Sequence, residues 1–408
     1  MRGFAARRVV TCDPAREGLL GVIEDGAVVL EGKSITYVGP RSGLPGGVPI
    51  TELGERVITP GLVDAHTHAC WAGSRHDEYA VRMAGGDYHE IAKAGGGILS
   101  TQRAVAAATE RELAAALHAR LRRMAALGVT TVEVKSGYGL EPAVEKKQLV
   151  TIARVAQQRD IPTIVPTFLA LHALPESAQA DRAAYVAHVC KKLVPEVAAA
   201  ALARFVDAYV DENAFSVEEA RGLCESARAN HLGARLHVGQ FADVGGAELA
   251  AATSAASVDH LEHVSPAGIA ALARAGVAAV LLPVASFTLG QRPPPVAALR
   301  EAGVPIVVAS DSNPGTAPTE SLPLALALAV RSYGLSPEEA LLGATRLAAA
   351  SLGLRDRGCI REGARADLVV WDLPHERAIV QPWGVPRALH VLRAGRDIGG
   401  RPEDAADG

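Results

Sequence analysis

The chain has 408 residues, a formal net charge of −4 and 49% of its residues in the hydrophobic set, enough for one large core and a smaller one. No basic excess points to a nucleic-acid partner. The apolar runs Val277–Leu282 and Leu322–Val330 are too short to span a membrane. Five scattered cysteines, Cys12, Cys70, Cys190, Cys224 and Cys359, form no CxxC pair. They read as free thiols of a reducing compartment. Met1-Arg2 is not followed by a sustained apolar run, so a soluble cytoplasmic chain is expected.

In chain order, the first ~55 residues read as short strands, Ala27–Leu30 and Ser34–Val38, with turns at Glu31-Gly32 and Gly46-Gly47. The same alternation returns in "GCIREGARADLVVWDL" and "PRALHVLRAGR" near the other end. Residues 1–58 and 356–408 are therefore expected to build one small β-sandwich domain, with Arg401 to Gly408 frayed.

From 59 to 355 the texture changes. Apolar β-rich runs are expected as strands at Gly61–Asp64, Thr130–Val134, Thr163–Thr167, Val206–Tyr209, Ala234–His237, Ser257–Asp259, Ala278–Leu282 and Ile306–Ala309. Helical periodicity lies between them, as in Glu110–Leu127, Leu140–Gln157 and Val217–Asn230. Eight strands alternating with helices predict an α/β fold, a (β/α)8 TIM-like barrel. An open doubly wound sheet is the alternative.

Barrel chemistry gathers at the C-terminal ends of the strands. The first strand runs into "DAHTH", and residues i and i+2 share a face, so His66 and His68 project together. Later strand ends bring Lys135 and Tyr138 ("EVKSGYG"), His172 ("TFLALHA"), His237 and Gln240 ("RLHVGQ") and His260 ("VDHLEH"). The last gives Asp311, Asn313 and Thr316 ("SDSNPGT"). Three histidines and an aspartate suit one divalent metal with an open position for water. Asp311 is the natural proton acceptor. Each residue also has a plainer reading: His172 as a loop histidine, Lys135 as a solvated strand-end residue, Gly95-Gly96-Gly97 as a turn or active-site loop. His118, His188, His231 and His263 read as surface or helix-face residues. The fourth strand ends "AYVDEN", with no lysine to bridge two metals, although Asp211 and Glu212 leave a second metal open.

These motifs, with "EIAKAGGGILST", "GVTTVEVKSGYGL", "TFLALHALP" and "SDSNPGTAP", make the chain resemble the amidohydrolase superfamily over almost its whole length. Within it, the resemblance is to the members that open the ring of 4-imidazolone-5-propanoate in histidine degradation. It implies one zinc or iron ion per chain, held by His66, His68, His237 and Asp311. It further implies that metal-bound water attacks the ring carbonyl, giving N-formimidoyl-L-glutamate. Asp311 then moves the proton, and His260 orients or stabilises the carbonyl. Arg75, Tyr138 and His172 are implied as donors to the substrate, with Arg75 on its propionate, and Asn313, Gly315 and Thr316 as the pocket wall. Gln240 falls where relatives carry Glu or Gln, in a segment that reads "HVGQ" here. The implied partner is this small molecule. The resemblance leaves open a homodimer. The alternative activity is that of an aminohydrolase acting on a purine or pyrimidine ring, whose substrate has no carboxylate for Arg75.

Overall fold

A computed structural model describes residues 1–86, 96–381 and 383–400. The tail from Arg401, and Gly95 of the glycine run, lie outside the described residues. Gly97 takes φ 72° at the start of the helix Ile98–Ala107, so the end of that run is a turn into a helix.

Strands β1 (Arg2–Val10), β2 (Val22–Glu31), β3 (Ser34–Pro40), β4 (Ile50–Glu52) and β5 (Val57–Pro60) come from the start of the chain. They join β14 (Leu368–Trp371), β15 (Ala388–Arg393) and β16 (Arg396–Gly399) in one mixed sheet of order β16-β15-β14-β5-β1-β2-β3, with β4 on β1. The two chain ends thus share one core, in which Phe4, Val28 and Ile35 pack with Ile360, Leu368 and Leu392. The stretch before Leu368 forms no strand; it joins by a bridge from Arg365 to Ser34 and by backbone bonds such as Ile35 N to Ala364 O at 2.9 Å.

The second sheet holds β6 (Leu62–Asp64), β7 (Val129–Lys135), β8 (Thr163–Leu171), β9 (Phe205–Val210), β10 (Gly233–Val238), β11 (Ser257–His260), β12 (Ala278–Leu281) and β13 (Ile306–Val308). They are parallel neighbours in chain order. Just past its first and last strands the sheet nearly closes. Asp311 N donates to His66 O at 3.1 Å, and His68 N donates to Ser312 O at 3.0 Å. The eight expected strands and the three expected helices are all present, the helices at Glu110–Ala126, Pro142–Val155 and Val217–Ala229. Ser216 caps the last of these in a reciprocal Ser–Glu219 box, which fixes where it starts.

Alternation along each strand sorts the side chains. On β7, Val132 and Val134 face the helix layer and its large apolar core. The intervening Glu133 and Lys135 are fully buried. Asp207 on β9, Arg235 on β10 and Asp259 on β11 follow the same parity, and all three are also fully buried. Beneath them lies an apolar cluster that includes Val63, Val165, Phe205, Val280 and Val307. A layer of charge therefore sits on an apolar floor inside the barrel.

Arg235 ties this layer together. It donates to Ser351 O at 3.0 Å and Ala65 O at 2.9 Å, and it lies 3.8 Å from Asp259. Arg235→Met is expected to orphan two buried carbonyls and to remove a cation from beside Asp259. Urea unfolding should show a loss of about 3–5 kcal/mol.

Candidate metal centre and active site

His66 and His68 leave β6 on the turn that meets the end of β13. Thr67, between them, donates its N–H to Glu133 Oε2 (3.1 Å) and its hydroxyl to Glu133 O (2.6 Å). The HxH turn is therefore clamped to β7. His237 comes from β10 and Asp311 from the segment after β13. Ring nitrogens of His66, His68 and His237 all lie within 4.8 Å of one another. Nε2 of His237 is 3.3 Å from Nε2 of His68. Asp311 Oδ1 is 3.4 Å from His66 Nε2 and 3.5 Å from His68 Nε2.

The far nitrogens explain this convergence. His66 Nδ1 pairs with Asp259 Oδ2 at 2.7 Å, and His237 Nδ1 with Asp207 Oδ1 at 3.1 Å. A carboxylate on Nδ1 holds the proton there and leaves Nε2 as a bare lone pair. His66 Nε2 is fully buried and has no hydrogen-bond partner, an arrangement that is costly unless a cation completes it. Burial holds His66, His68 and His237 well below the usual histidine range, so all three are neutral, the form a metal requires. Burial also pushes the Asp311 carboxyl up, to about 7. Three neutral imidazoles and a carboxylate suit a divalent metal with nitrogen and oxygen ligands.

Two of these strand ends carry backbone strain. His260 (φ 86°), Leu261 (φ 73°) and Asp311 (φ 55°) occupy the left-handed region, which non-glycine residues enter at a cost of order 1–3 kcal/mol each. Such positions persist where the surroundings fix them, and here they aim His260 and Asp311 into a common cavity.

That cavity is lined by His68, His237, His260 and Asp311. Arg75, Tyr138, His172, Gln240, Asn313 and Thr316, drawn from five separate stretches of sequence, complete much of its wall. Glu78 holds Arg75 by two prongs, at Nε (2.8 Å) and Nη2 (2.7 Å), and so fixes the guanidinium plane. Gly315 packs against that guanidinium, and a Cβ there would overlap Nη1. Gly315 is not itself among the residues that line the cavity; it makes room for Arg75, which does. Asn313 uses its amide within the loop. It donates to Asp311 O (2.7 Å) and Thr316 Oγ1 (3.0 Å), and accepts from Gly315 N (2.8 Å) and Thr316 N (2.7 Å). Gln240 Oε1 accepts from Tyr209 OH at 3.0 Å, so the other end of the amide is a donor.

His172 differs from expectation. Its Nδ1 bonds to the Gly137 carbonyl at 2.7 Å, and burial pulls it down to about 4. A neutral ring with its proton on Nδ1 presents Nε2 as an acceptor, not a donor. Lys135 also differs. It is fully buried, 2.8 Å from Asp207 and 2.9 Å from Glu133, rather than solvated. Asp211 Oδ1 and Oδ2 accept from the backbone N–H groups of Glu212, Phe241 and Ala242, which ties it to that loop. Behind His260 runs a chain not anticipated from sequence. Glu262 Oε2 is 3.6 Å from His260 Nδ1, and Ser286 Oγ donates to Glu262 Oε1 at 2.6 Å. Ser286 Oγ is also 2.6 Å from Tyr333 OH. Burial opposes protonation of His260, but Glu262, with Asp311 and Asp259, raises His260 above its usual range. The signal for the missed acids was present: "VEVK", "VDAY" and "VDH" place a charge at alternate positions of otherwise apolar strands.

Residues 57–396 match the amidohydrolase family, and the chain belongs to that family. It is 45% identical to the imidazolonepropionase of Paracoccus denitrificans over 395 residues, 96% of this chain and 98% of that protein. It is 44% identical to that of Caulobacter vibrioides over 381 residues, 92% and 94% of the two chains. Within the amidohydrolases it thus groups with the imidazolonepropionases, and it is a metal-dependent hydrolase. A zinc-bound adenosine deaminase from Xanthomonas campestris shares the fold, with a TM-score of 0.74 at 19% identity over 99% of this chain and 95% of that one. No helix among the described residues is long and apolar enough to cross a membrane.

Proposed function

We propose that the chain opens the ring of 4-imidazolone-5-propanoate by hydrolysis to N-formimidoyl-L-glutamate. It would use one zinc or iron ion held by His66, His68, His237 and Asp311. The observation that carries the reading is the convergence of three imidazoles and Asp311 on a cavity whose wall also holds Arg75. When bound, the metal supplies a Lewis acid that lowers the pKa of its water toward ~7. A single ion is favoured because the neighbouring Asp207–Asp259–His237 cluster already holds a cation, the ammonium of Lys135.

The chain's own groups supply the rest. Glu78 uses one edge of Arg75, which leaves its remaining N–H donors for the substrate's propionate. His172 Nε2 accepts an N–H of the imidazolone ring. His260, backed by Glu262, donates to the carbonyl oxygen as negative charge gathers there. Asp311 Oδ accepts a proton from water as its oxygen bonds to the ring carbonyl carbon. The carbon–nitrogen bond then breaks, and Asp311 delivers that proton to the departing ring nitrogen. Gln240, fixed by Tyr209, is placed to donate across the cavity. An aminohydrolase acting on a ring without a carboxylate has no use for Arg75.

The direct test is product identification. Urocanate with urocanase generates the unstable substrate in place, and mass spectrometry should find formimidoylglutamate only when this chain is present. Unchanged substrate decay would overturn the reading. Asp311→Asn should lower turnover by about 10²–10⁴-fold, since an amide cannot take the proton. Near-parental turnover would put the base elsewhere. Arg75→Lys should raise KM moderately. Arg75→Met should raise it roughly ten- to a hundredfold with metal content unchanged, the loss of a charged hydrogen bond being worth ~1.5–3 kcal/mol.

A further inference from the structure

Lys135 takes no part in the chemistry above, yet the barrel buries it completely beside the metal centre. Its ammonium lies 2.8 Å from Asp207 Oδ2, 2.9 Å from Glu133 Oε1 and 3.6 Å from Asp259 Oδ2. Two of these acids hold proposed ligands and the third holds the residue between two of them. Asp207 holds His237 Nδ1, and Asp259 holds His66 Nδ1. Glu133 accepts from the N–H of Thr67, between His66 and His68. Lys135 N also donates to Thr67 O at 2.9 Å. Arg235, the other buried cation here, reaches only Asp259 among these acids, at 3.8 Å, and gives its hydrogen bonds to two carbonyls.

We propose that Lys135 is a positioning residue, the built-in counter-ion that holds Asp207, Asp259 and Glu133 together against the histidines and so shapes the metal centre. This rests on reading His66, His68, His237 and Asp311 as metal ligands. The argument is one of charge and distance. Buried carboxylates this close repel strongly in a medium that screens poorly. The ammonium takes Asp207 Oδ2 and Glu133 Oε1, leaving Asp207 Oδ1 to His237 and Glu133 Oε2 to Thr67, and it lies near the same Asp259 Oδ2 that holds His66. Without it the carboxylates spread apart, and the rings lose the partners that aim Nε2 at a common point.

The test reads metal affinity without turnover. Metal-stripped parent, Lys135→Met, Glu133→Gln and the double variant are titrated with zinc against a chromophoric chelator, and thermal unfolding is recorded for each. Lys135→Met should bind zinc about 10–100-fold more weakly than the parent, the usual cost of losing an orienting partner. The double variant removes one negative charge along with the ammonium, and a glutamine at that position still accepts from Thr67. It should regain most of the loss. A folded Lys135→Met with parental affinity overturns the proposal, and so does a folded double variant no tighter than Lys135→Met. If Lys135→Met does not fold, the double variant must fold and bind zinc; a folded double variant that binds none is contrary. A parent that binds no zinc overturns the metal reading itself and this inference with it.

Discussion

Two buried carboxylate–imidazole pairs, Asp259 on His66 and Asp207 on His237, are the constraint on which the rest of the site depends. A histidine ring can offer either nitrogen. Pairing Nδ1 with an acid settles the choice and turns Nε2 toward the barrel mouth. Charge this deep would be destabilising alone. The structure offsets it with Lys135 and Arg235, so the interior becomes a stacked series. Apolar side chains fill the bottom, ion pairs the middle, and the ring nitrogens and Asp311 the top. The proposed metal site is thus the upper surface of an electrostatic layer rather than a set of isolated ligands.

The same layering separates chemistry from recognition. Asp311 and His260 sit on strained turns at two strand ends, where the barrel fixes their direction. Arg75 sits outside the barrel wall, pinned by Glu78 and given room by Gly315. Asn313 keeps the loop that carries Asp311, Gly315 and Thr316 in one shape. The proposed substrate, with an amide carbonyl at one end and a carboxylate at the other, would span these two regions. That fit, together with the imidazolonepropionase relatives, separates the reading from the many ring hydrolases built on this fold.

Much of this was legible in the sequence, for a physical reason. Buried parallel strands are short apolar runs, so all eight stood out, and polar residues at their ends had nowhere to point but the barrel mouth. The ligand-type histidines and Asp311 follow from that placement. Less visible was anything set by pairing across the barrel. Lys135 looked like a strand-end residue because its partners, Asp207 and Asp259, are distant in the chain. His172 was expected as a donor because the Gly137 carbonyl that takes its proton cannot be seen in a motif. Asn313 and Gly315 were placed at the wall, but their work, bracing a loop and admitting a guanidinium, depends on contacts that only the fold creates.

The central claim is that one metal ion at this centre is required for ring opening. It is tested most directly by stripping the protein of metal and adding zinc or ferrous iron back in sub-stoichiometric steps, while following consumption of enzymatically generated 4-imidazolone-5-propanoate. The account predicts no turnover in the stripped protein and a linear rise that breaks at one equivalent per chain. Turnover that survives complete metal removal, or a break at two equivalents, would contradict it.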